Sequence, residues 1–426
     1  MMITTHEISS KEDVEPLRAA LRAARVPAAD VAEAVLEIIG QVESGGDGAL
    51  VELTERLDGA RVAPGSLEVG PQAREEALRL LDAPVREALE KAAARIKAFA
   101  ERGLPADFQT SPAPGITTGT VSRPMDTVGI YVPGGRYPYP STVLMTGIPA
   151  RAAGVSELVL CVPPGKVNPA TLAATAMLGD CRVFTAGGAQ AIAAMAFGTE
   201  TVPACEMIAG PGNIYVSTAK RLVSDRVRVD LDAGPSEVVI YADASTPPAF
   251  AAMDLLAQLE HDPLALAVLV SEQAETLEAV RLVLGGEPLA PEGTVDLVLS
   301  EDRALSLELI NAVAPEHLEL AVDEAASLLP SIKKAGCVFL GQWSAVALGD
   351  YVAGPSHVLP TGGSAARLSG LSVRDFMRTM NVISYTKEGL AADARYASGL
   401  AALEGLTYHA RSVETRDKGP AADLEV

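Results

Sequence analysis

Apolar side chains recur at helical spacing through the first hundred positions, and the texture then changes to short apolar runs that end in glycine. Between residues 15 and 103, segments such as Val31-Ala32-Glu33-Ala34-Val35-Leu36-Glu37-Ile38-Ile39 and Arg74-Glu75-Glu76-Ala77-Leu78-Arg79-Leu80-Leu81 repeat apolar residues at i, i+3 and i+4 among charged ones, the period of an amphipathic helix. Their charges read as a solvated face and suggest no chemistry. After Pro105, strand-like runs at 128–132, 157–162, 183–185 and 206–208 lead into Pro133-Gly134-Gly135, Pro163-Pro164-Gly165, Gly187-Gly188 and Gly210-Pro211-Gly212-Asn213. Helical runs follow most of these turns, and strands alternating with helices predict a parallel, doubly wound sheet. A second unit of the same kind follows: a helix over 249–261 halted by Asp262-Pro263, a buried-type strand at 265–270, a helix at 275–284, a strand at 295–299, a helix at 305–313 and a strand at 337–340,.

Composition narrows the partner more than the fold. With 426 residues, 48% of them hydrophobic, the chain buries a large core and is expected to form two main domains. A net charge of -21, from 55 acidic against 34 basic residues, argues against binding along nucleic acid or on anionic lipid. Residues 1–13 lack the basic region and apolar core of a secretory signal, and no apolar run approaches the ~18 residues of a spanning helix. The expectation is a cytoplasmic protein with a small-molecule partner. Cys161, Cys181, Cys205 and Cys337 are widely spaced without a C-x-x-C pair, so buried free thiols are the simplest reading, with Cys205 beside Glu206 as an alternative nucleophile.

The candidate chemistry is concentrated in few residues. Of five histidines, His6 lies in the N-terminal tail, while His261, His317, His357 and His409 each sit in a polar segment near structure-breaking residues. Ala314-Pro315-Glu316-His317-Leu318-Glu319-Leu320 sets a carboxylate beside an imidazole just past a helical run, so two proton carriers with different affinities are neighbours. A helix-end pair that steadies local backbone accounts for it equally well. Gln258, His261, Asp350 and His409 supply an amide, two imidazoles and a carboxylate, a hard-to-borderline set suited to zinc or manganese; helix capping by Asp350 and surface placement of Gln258 are the alternatives. Gly187-Gly188 and Gly210-Pro211-Gly212 occupy the carboxyl ends of predicted strands, where backbone N–H groups approach phosphate. Neither forms G-x-G-x-x-G, and ordinary tight turns explain both. The residues by themselves describe an α/β enzyme, metal-assisted, acting on a small polar molecule.

Taken together, eight stretches resemble the histidinol dehydrogenase family in order. They are Gly129 to Gly135 (GIYVPGG), Gly187 to Ala194 (GGAQAIAA), Gly210-Pro211-Gly212-Asn213, Ala233-Gly234-Pro235-Ser236-Glu237, Leu256 to Pro263 (LAQLEHDP), Ala314 to Glu319 (APEHLE), Gly354 to Thr361 (GPSHVLPT) and Leu403-Glu404-Gly405-Leu406-Thr407. The resemblance implies an NAD-dependent zinc enzyme that oxidises L-histidinol to L-histidine through L-histidinaldehyde, with two NAD consumed, at the end of histidine biosynthesis. It implies one zinc per subunit on Gln258, His261, Asp350 and His409, and substrate contacts from Ser236, His317, His357 and Glu404 together with those ligands. It assigns NAD to Tyr131, Gln190 and Asn213, the role of base to His317 and activation of water to Glu316. It also implies a homodimer in which the tail of one subunit completes its partner's site.

The expected architecture is therefore α/β, with two Rossmann-like doubly wound parallel-sheet domains, an N-terminal helical segment and a small C-terminal tail domain. The expected division is a helical arm at 1–24, a metal and catalytic domain from 25–106 and 236–378, an NAD-binding domain at 107–235 and a dimerisation tail at 379–426. Where relatives usually carry two lysines this chain has Ala204 and Met207, and Arg367 falls one position late. The rival readings are a same-fold dehydrogenase of another polar alcohol such as a sulfonated diol, a thiol-dependent aldehyde dehydrogenase acting through Cys205, and a metal-binding protein without catalysis.

Overall fold

A computed structural model describes residues 1–23, 31–63, 65–134, 138–165, 167–230 and 234–418. Gly135, Ala233 and the end of the tail thus lie outside the described residues. The chain divides into two units, one from 1–103 and 125–376, the other from 104–124 and 377–426.

The first unit contains both doubly wound sheets. One runs Glu68–Val69, Arg182–Thr185, Glu157–Val162, Thr127–Tyr131, Met207–Ala209 and Arg228–Val229 across its width. It is parallel except for the short first strand. The other orders Met2–Ile8, Thr294–Ser300, Leu266–Ser271, Glu237–Tyr241, His317–Leu320 and Cys337–Leu340, all parallel. Central strands such as Glu237–Tyr241 and Leu266–Ser271 are buried along their whole length, as continuous apolar runs between two helical layers should be. Helices cover the second sheet on both faces: Leu17, Leu21, Leu309 and Ile310 on one, Leu255, Leu259, Leu277 and Val280 on the other.

The alternation of strand and helix was legible, but the allocation of the early segments was not. Met2–Ile8, expected within a helical arm, is a strand paired from Met2↔Thr294 to Ile8↔Ser300; its Ile and Thr residues favour the pleat. Residues 25–106, expected with the metal-binding domain, supply helices whose apolar stripe of Val35, Ile38, Ile39, Val42 and Leu50 shares a core with Val159 and Phe184 of the other sheet and Ile192 of the helix Gly188–Phe197. An amphipathic stripe states that a helix covers a sheet, not which one.

The second unit also corrects the expected division. Phe108–Ala113 and Ile116–Pro124, assigned to the NAD-binding domain, form an antiparallel sheet with Met377–Tyr385. Helices Lys387–Leu403 and Thr407–Lys418 follow. This unit has little core of its own: the first helix buries only Gly389 and Ala394, and the second buries nothing.

Candidate active site

The glycine-rich corner is built where strand order reverses. Thr127–Tyr131 lies between Glu157–Val162 and Met207–Ala209, so the connections leave in opposite directions and a crevice opens between Tyr131 and Gly210. A Cβ on Gly210 (φ 116°) would collide with the Tyr131 carbonyl, so only glycine fits,. Its N–H donates to Asp230 Oδ2 (2.7 Å) and its carbonyl accepts from Lys220 Nζ (3.1 Å). Lys220 and Asp230 pair with each other in the interior. Asn213 caps the helix Ile214–Leu222, its Oδ1 accepting from the N–H groups of Tyr215 and Val216. At the next turn, Gly188 N–H donates to Tyr131 Oη (3.1 Å), and buried Gln190 donates through Nε2 to Asp58 Oδ2 (3.1 Å). Burial pushes the Tyr131 phenol up to about 12, so it stays neutral.

The acid and imidazole sit at the opposite end of the second sheet's strands. Helix Arg303–Val313 closes on Ala314 at φ 49°, the one non-glycine residue with positive φ among the described residues. That conformation costs about 1 kcal/mol or more for alanine, and Pro315 then forbids the helix from continuing. Gly336 N–H to Pro315 O (2.9 Å) and Cys337 N–H to Glu316 O (2.8 Å) fix the turn. His317 is thus the first residue of its strand, beside the start of Glu237–Tyr241. The glycine turns stand at the carboxyl ends of their strands, whereas Glu316, His317 and Ser236 stand at amino ends, where backbone N–H groups outside the ladder serve the acid.

Glu237 is the hub of this edge. Its backbone N–H donates to Glu316 Oε2 (2.8 Å), and its carbonyl lies 3.0 Å from His317 Nδ1. Its carboxylate accepts from Gly362 N–H (2.7 Å), from Glu316 N–H (3.3 Å) and from the Arg22 guanidinium through both Nη1 and Nη2. Arg22 Nη2 also donates to Val313 O (2.6 Å), at the end of the helix that delivers the turn. With Nδ1 given to the Glu237 carbonyl, Nε2 is the nitrogen left for proton transfer; it lies 3.5 Å from Asp350 Oδ1.

Burial and neighbours set the proton affinities. Burial raises Glu316 to about 7, against the opposing pull of His317 and the Glu237 N–H. Burial by itself lowers His317, but Glu316 and Asp350 reverse this and push it up to about 9. Burial opposes charge on Asp350 too, yet the imidazoles of His317, His357 and His261 hold it below its ordinary value. Burial lowers His357; its Nδ1 contacts Asp350 O (2.9 Å) and its Nε2 contacts Thr142 Oγ1 (3.2 Å).

A cavity of about 690 Å³ joins the two regions, with Tyr131, Gly188, Gly210 and Asn213 on its wall together with Ser236, His261, Glu316, His317, Asp350 and His357. Gln190 and Gln258 are buried behind it. Glu404 and His409 belong to the second unit and are exposed there. Among the described residues no three His, Cys, Asp or Glu side chains form a preformed metal cage. The donor set nonetheless fits zinc: Gln258 has a buried amide nitrogen without a partner, its amide can present either N or O, His261 follows three residues later, and Asp350 feels the His261 charge. Amide, imidazole and carboxylate leave room for further donors. The glycine corner likewise fits a dinucleotide, since at Gly210 and Gly212 any added Cβ meets Tyr131 or Val216. Cys205 is packed against Met195 and Gly129, and burial holds its thiol well above the usual range, the opposite of an activated nucleophile. Arg22, Asp58, Lys220 and Asp230 lie in none of the motifs; Arg22 and Asp58 meet Glu237 and Gln190 far away in sequence, and Lys220 and Asp230 pair with each other.

A strand-reversal crevice with glycine turns, open to a buried acid–imidazole pair, is the site of an α/β enzyme,. The histidinol dehydrogenase family model matches residues 21–417, and the chain belongs to that family. The histidinol dehydrogenase of Pseudomonas aeruginosa is 46% identical over 399 residues, 91% of each chain. That of Syntrophotalea carbinolica is 45% identical over 405 residues, covering 92% of this chain and 94% of its own. A crystal structure of histidinol dehydrogenase from Elizabethkingia anophelis superposes with a TM-score of 0.90 at 33% identity, over 97% of this chain and 98% of that one.

The hub gives a direct stability test. Glu237→Ala leaves Arg22 facing a buried site without its carboxylate, and should cost about 3 kcal/mol or more by urea unfolding. A loss below about 0.5 kcal/mol would show that the pair does not hold this edge together.

Proposed function

We propose that this chain oxidises L-histidinol to L-histidine through L-histidinaldehyde with two NAD, the last step of histidine biosynthesis. The observation that carries the reading is the buried Glu316–His317 pair, whose members are adjacent yet differ in proton affinity, on the wall of one cavity with the glycine corner. The family membership supplies the substrate. An acidic chain with free thiols and no helix among the described residues able to cross a membrane fits action in the cytoplasm.

Gln258, His261 and Asp350, with His409 as the fourth ligand, would hold one zinc per subunit. Bound there, zinc would supply a fixed positive centre to orient a substrate that carries nitrogen donors. Tyr131, Gln190 and Asn213 would hold NAD, which would supply the hydride acceptor for both half-reactions,. His317 receives the alcohol proton on Nε2 in the first half, which requires the neutral ring. Asp350, 3.5 Å from Nε2, would share its charge with the metal it helps to hold, which would leave Nε2 as the acceptor,. Glu316, raised by burial toward neutrality, takes a proton from the water that adds to the aldehyde carbon. Ser236, His357 and Glu404 contact the substrate and give the pocket its selectivity.

We also infer a homodimer with shared sites. The second unit exposes Ile383, Leu400, Leu403 and Tyr408, the last two more than three-quarters exposed, and buries too little to stand as a lone layer. In the first unit, Trp343 is 77% exposed and meets Phe250 edge-on at 5.7 Å, beside a second cavity of about 410 Å³ that also reaches His317 and Asp350. Each apolar surface fits cover by a partner subunit, with Glu404 and His409 delivered to the partner's site.

Two experiments test this reading. Glu316→Gln should slow oxidation of the aldehyde more than that of the alcohol, whereas His317→Asn should slow alcohol oxidation heavily; equal losses in both half-reactions for both variants would sink the division of labour. Mixed dimers test the shared site. Remixing inactive His261→Ala and His409→Ala proteins puts both defects into one site of each mixed dimer and leaves the other whole, so roughly a quarter of wild-type activity should return. No recovery after verified subunit exchange would place His409 on its own chain's metal.

A further inference from the structure

A glycine turn at the start of a buried helix ordinarily welcomes phosphate. At Gly187-Gly188 that place already holds a carboxylate. Asp58 ends the helix Ala32–Asp58, and Gly59 turns left-handed after it (φ 67°), which delivers Asp58 to the rim of the 690 Å³ cavity. Gln190 Nε2 donates to Asp58 Oδ2 at 3.1 Å, and the Gly187 N–H supports the same charge. Gln190 is buried and Tyr131 is tied to Gly188 N–H, so the carboxylate is held by groups fixed in the core. Asp58 itself is exposed to solvent, and it can accept a hydrogen bond from a ligand.

A hydroxyl and a phosphate meet this corner differently. A ribose hydroxyl donates to a carboxylate at no cost in charge. A phosphomonoester brings negative charge against one already present, and the two donors best placed to compensate, the Gln190 amide and the Gly187 N–H, are given to Asp58. Among the described residues the cavity wall has one Lys or Arg, Lys220, and it is paired with buried Asp230. The corner is built for a neutral diol.

We propose that Asp58 determines cofactor specificity: its carboxylate takes the adenosine ribose hydroxyls of NAD and repels the 2′-phosphate of NADP. This rests on the reading of the cavity as a nicotinamide dinucleotide site. The selecting residue therefore lies in the helical segment before the sheet, not at the end of the second strand where dinucleotide folds commonly carry their ribose-binding acid.

Calorimetric titration of the zinc-loaded full-length protein with ADP-ribose and with 2′-phospho-ADP-ribose reads this without turnover. The wild type should bind ADP-ribose about tenfold to hundredfold more tightly, the range expected for a like-charge contact at a partly solvated site. Asp58→Asn and Asp58→Ser should each narrow the ratio by about tenfold, mostly through gain on the phosphorylated ligand, and the ratio of kcat/KM for NAD over NADP should fall in parallel. A wild type that binds both ligands equally, or a ratio unchanged in a folded variant, overturns the role of Asp58 and leaves the dinucleotide site standing. A wild type that binds neither ligand, and forms no reduced cofactor from histidinol, overturns the dinucleotide reading as well. Circular dichroism establishes that each variant is folded; should one fail to fold, the other and the wild-type ratio still decide.

Discussion

A carboxylate buried at the amino edge of a parallel sheet needs a counter-charge and donors for its oxygens, and here Glu237 finds both. Arg22 reaches it from the helix Lys11–Ala23, and the N–H groups of Gly362 and Glu316 complete its coordination. The same guanidinium accepts the duty of capping Val313, one residue before the left-handed Ala314. One ion pair thus ties the N-terminal helix, two strand starts, a distant loop and the end of a helix. Breaking such a pair by removing one partner is far more costly than its net contribution would suggest, because the survivor stays desolvated. Glu316 and His317 inherit their positions from it, since the Glu237 backbone supplies one hydrogen-bonding partner to each.

The two sheets serve the cavity with opposite ends. One presents carboxyl ends and glycine turns, suited to the backbone of a dinucleotide; the other presents amino ends, where unpaired N–H groups steady a buried acid. This opposition sets the glycine turns apart from the acid–imidazole pair while leaving both on one wall. It also explains why the acid is raised only to about neutrality: burial alone would take it further, and the Glu237 N–H and His317 draw it back. A second carboxyl pair, half-buried Asp254 and buried Glu319, lies two residues beyond His317 on the same strand, with burial raising both.

The period of apolar residues revealed both parallel sheets, and the adjacency of Glu316 and His317 revealed the acid–base edge. Glycine runs marked the turns that the structure places at the crevice. What stayed hidden was mostly long-range. Arg22 and Glu237 are 215 residues apart, and Asp58 and Gln190 are 132 apart, so no local spacing announces either contact. The stripe of Val35, Ile38 and Ile39 could not name its sheet. The strand Met2–Ile8 lies at an edge, with a single buried residue, and so has almost no alternation to read. Strands Phe108–Ala113 and Ile116–Pro124 find their third member only at Met377–Tyr385, after the intervening residues 125–376.

Under the proposed function, one cavity carries out two successive oxidations, with Glu316 bringing water into the second. The most direct measurement is the amount of NADH formed per L-histidinol consumed by the zinc-loaded protein at completion. Two NADH for each histidinol, with histidine as the product, is the result this account requires; a yield of one, with the aldehyde released, would contradict it.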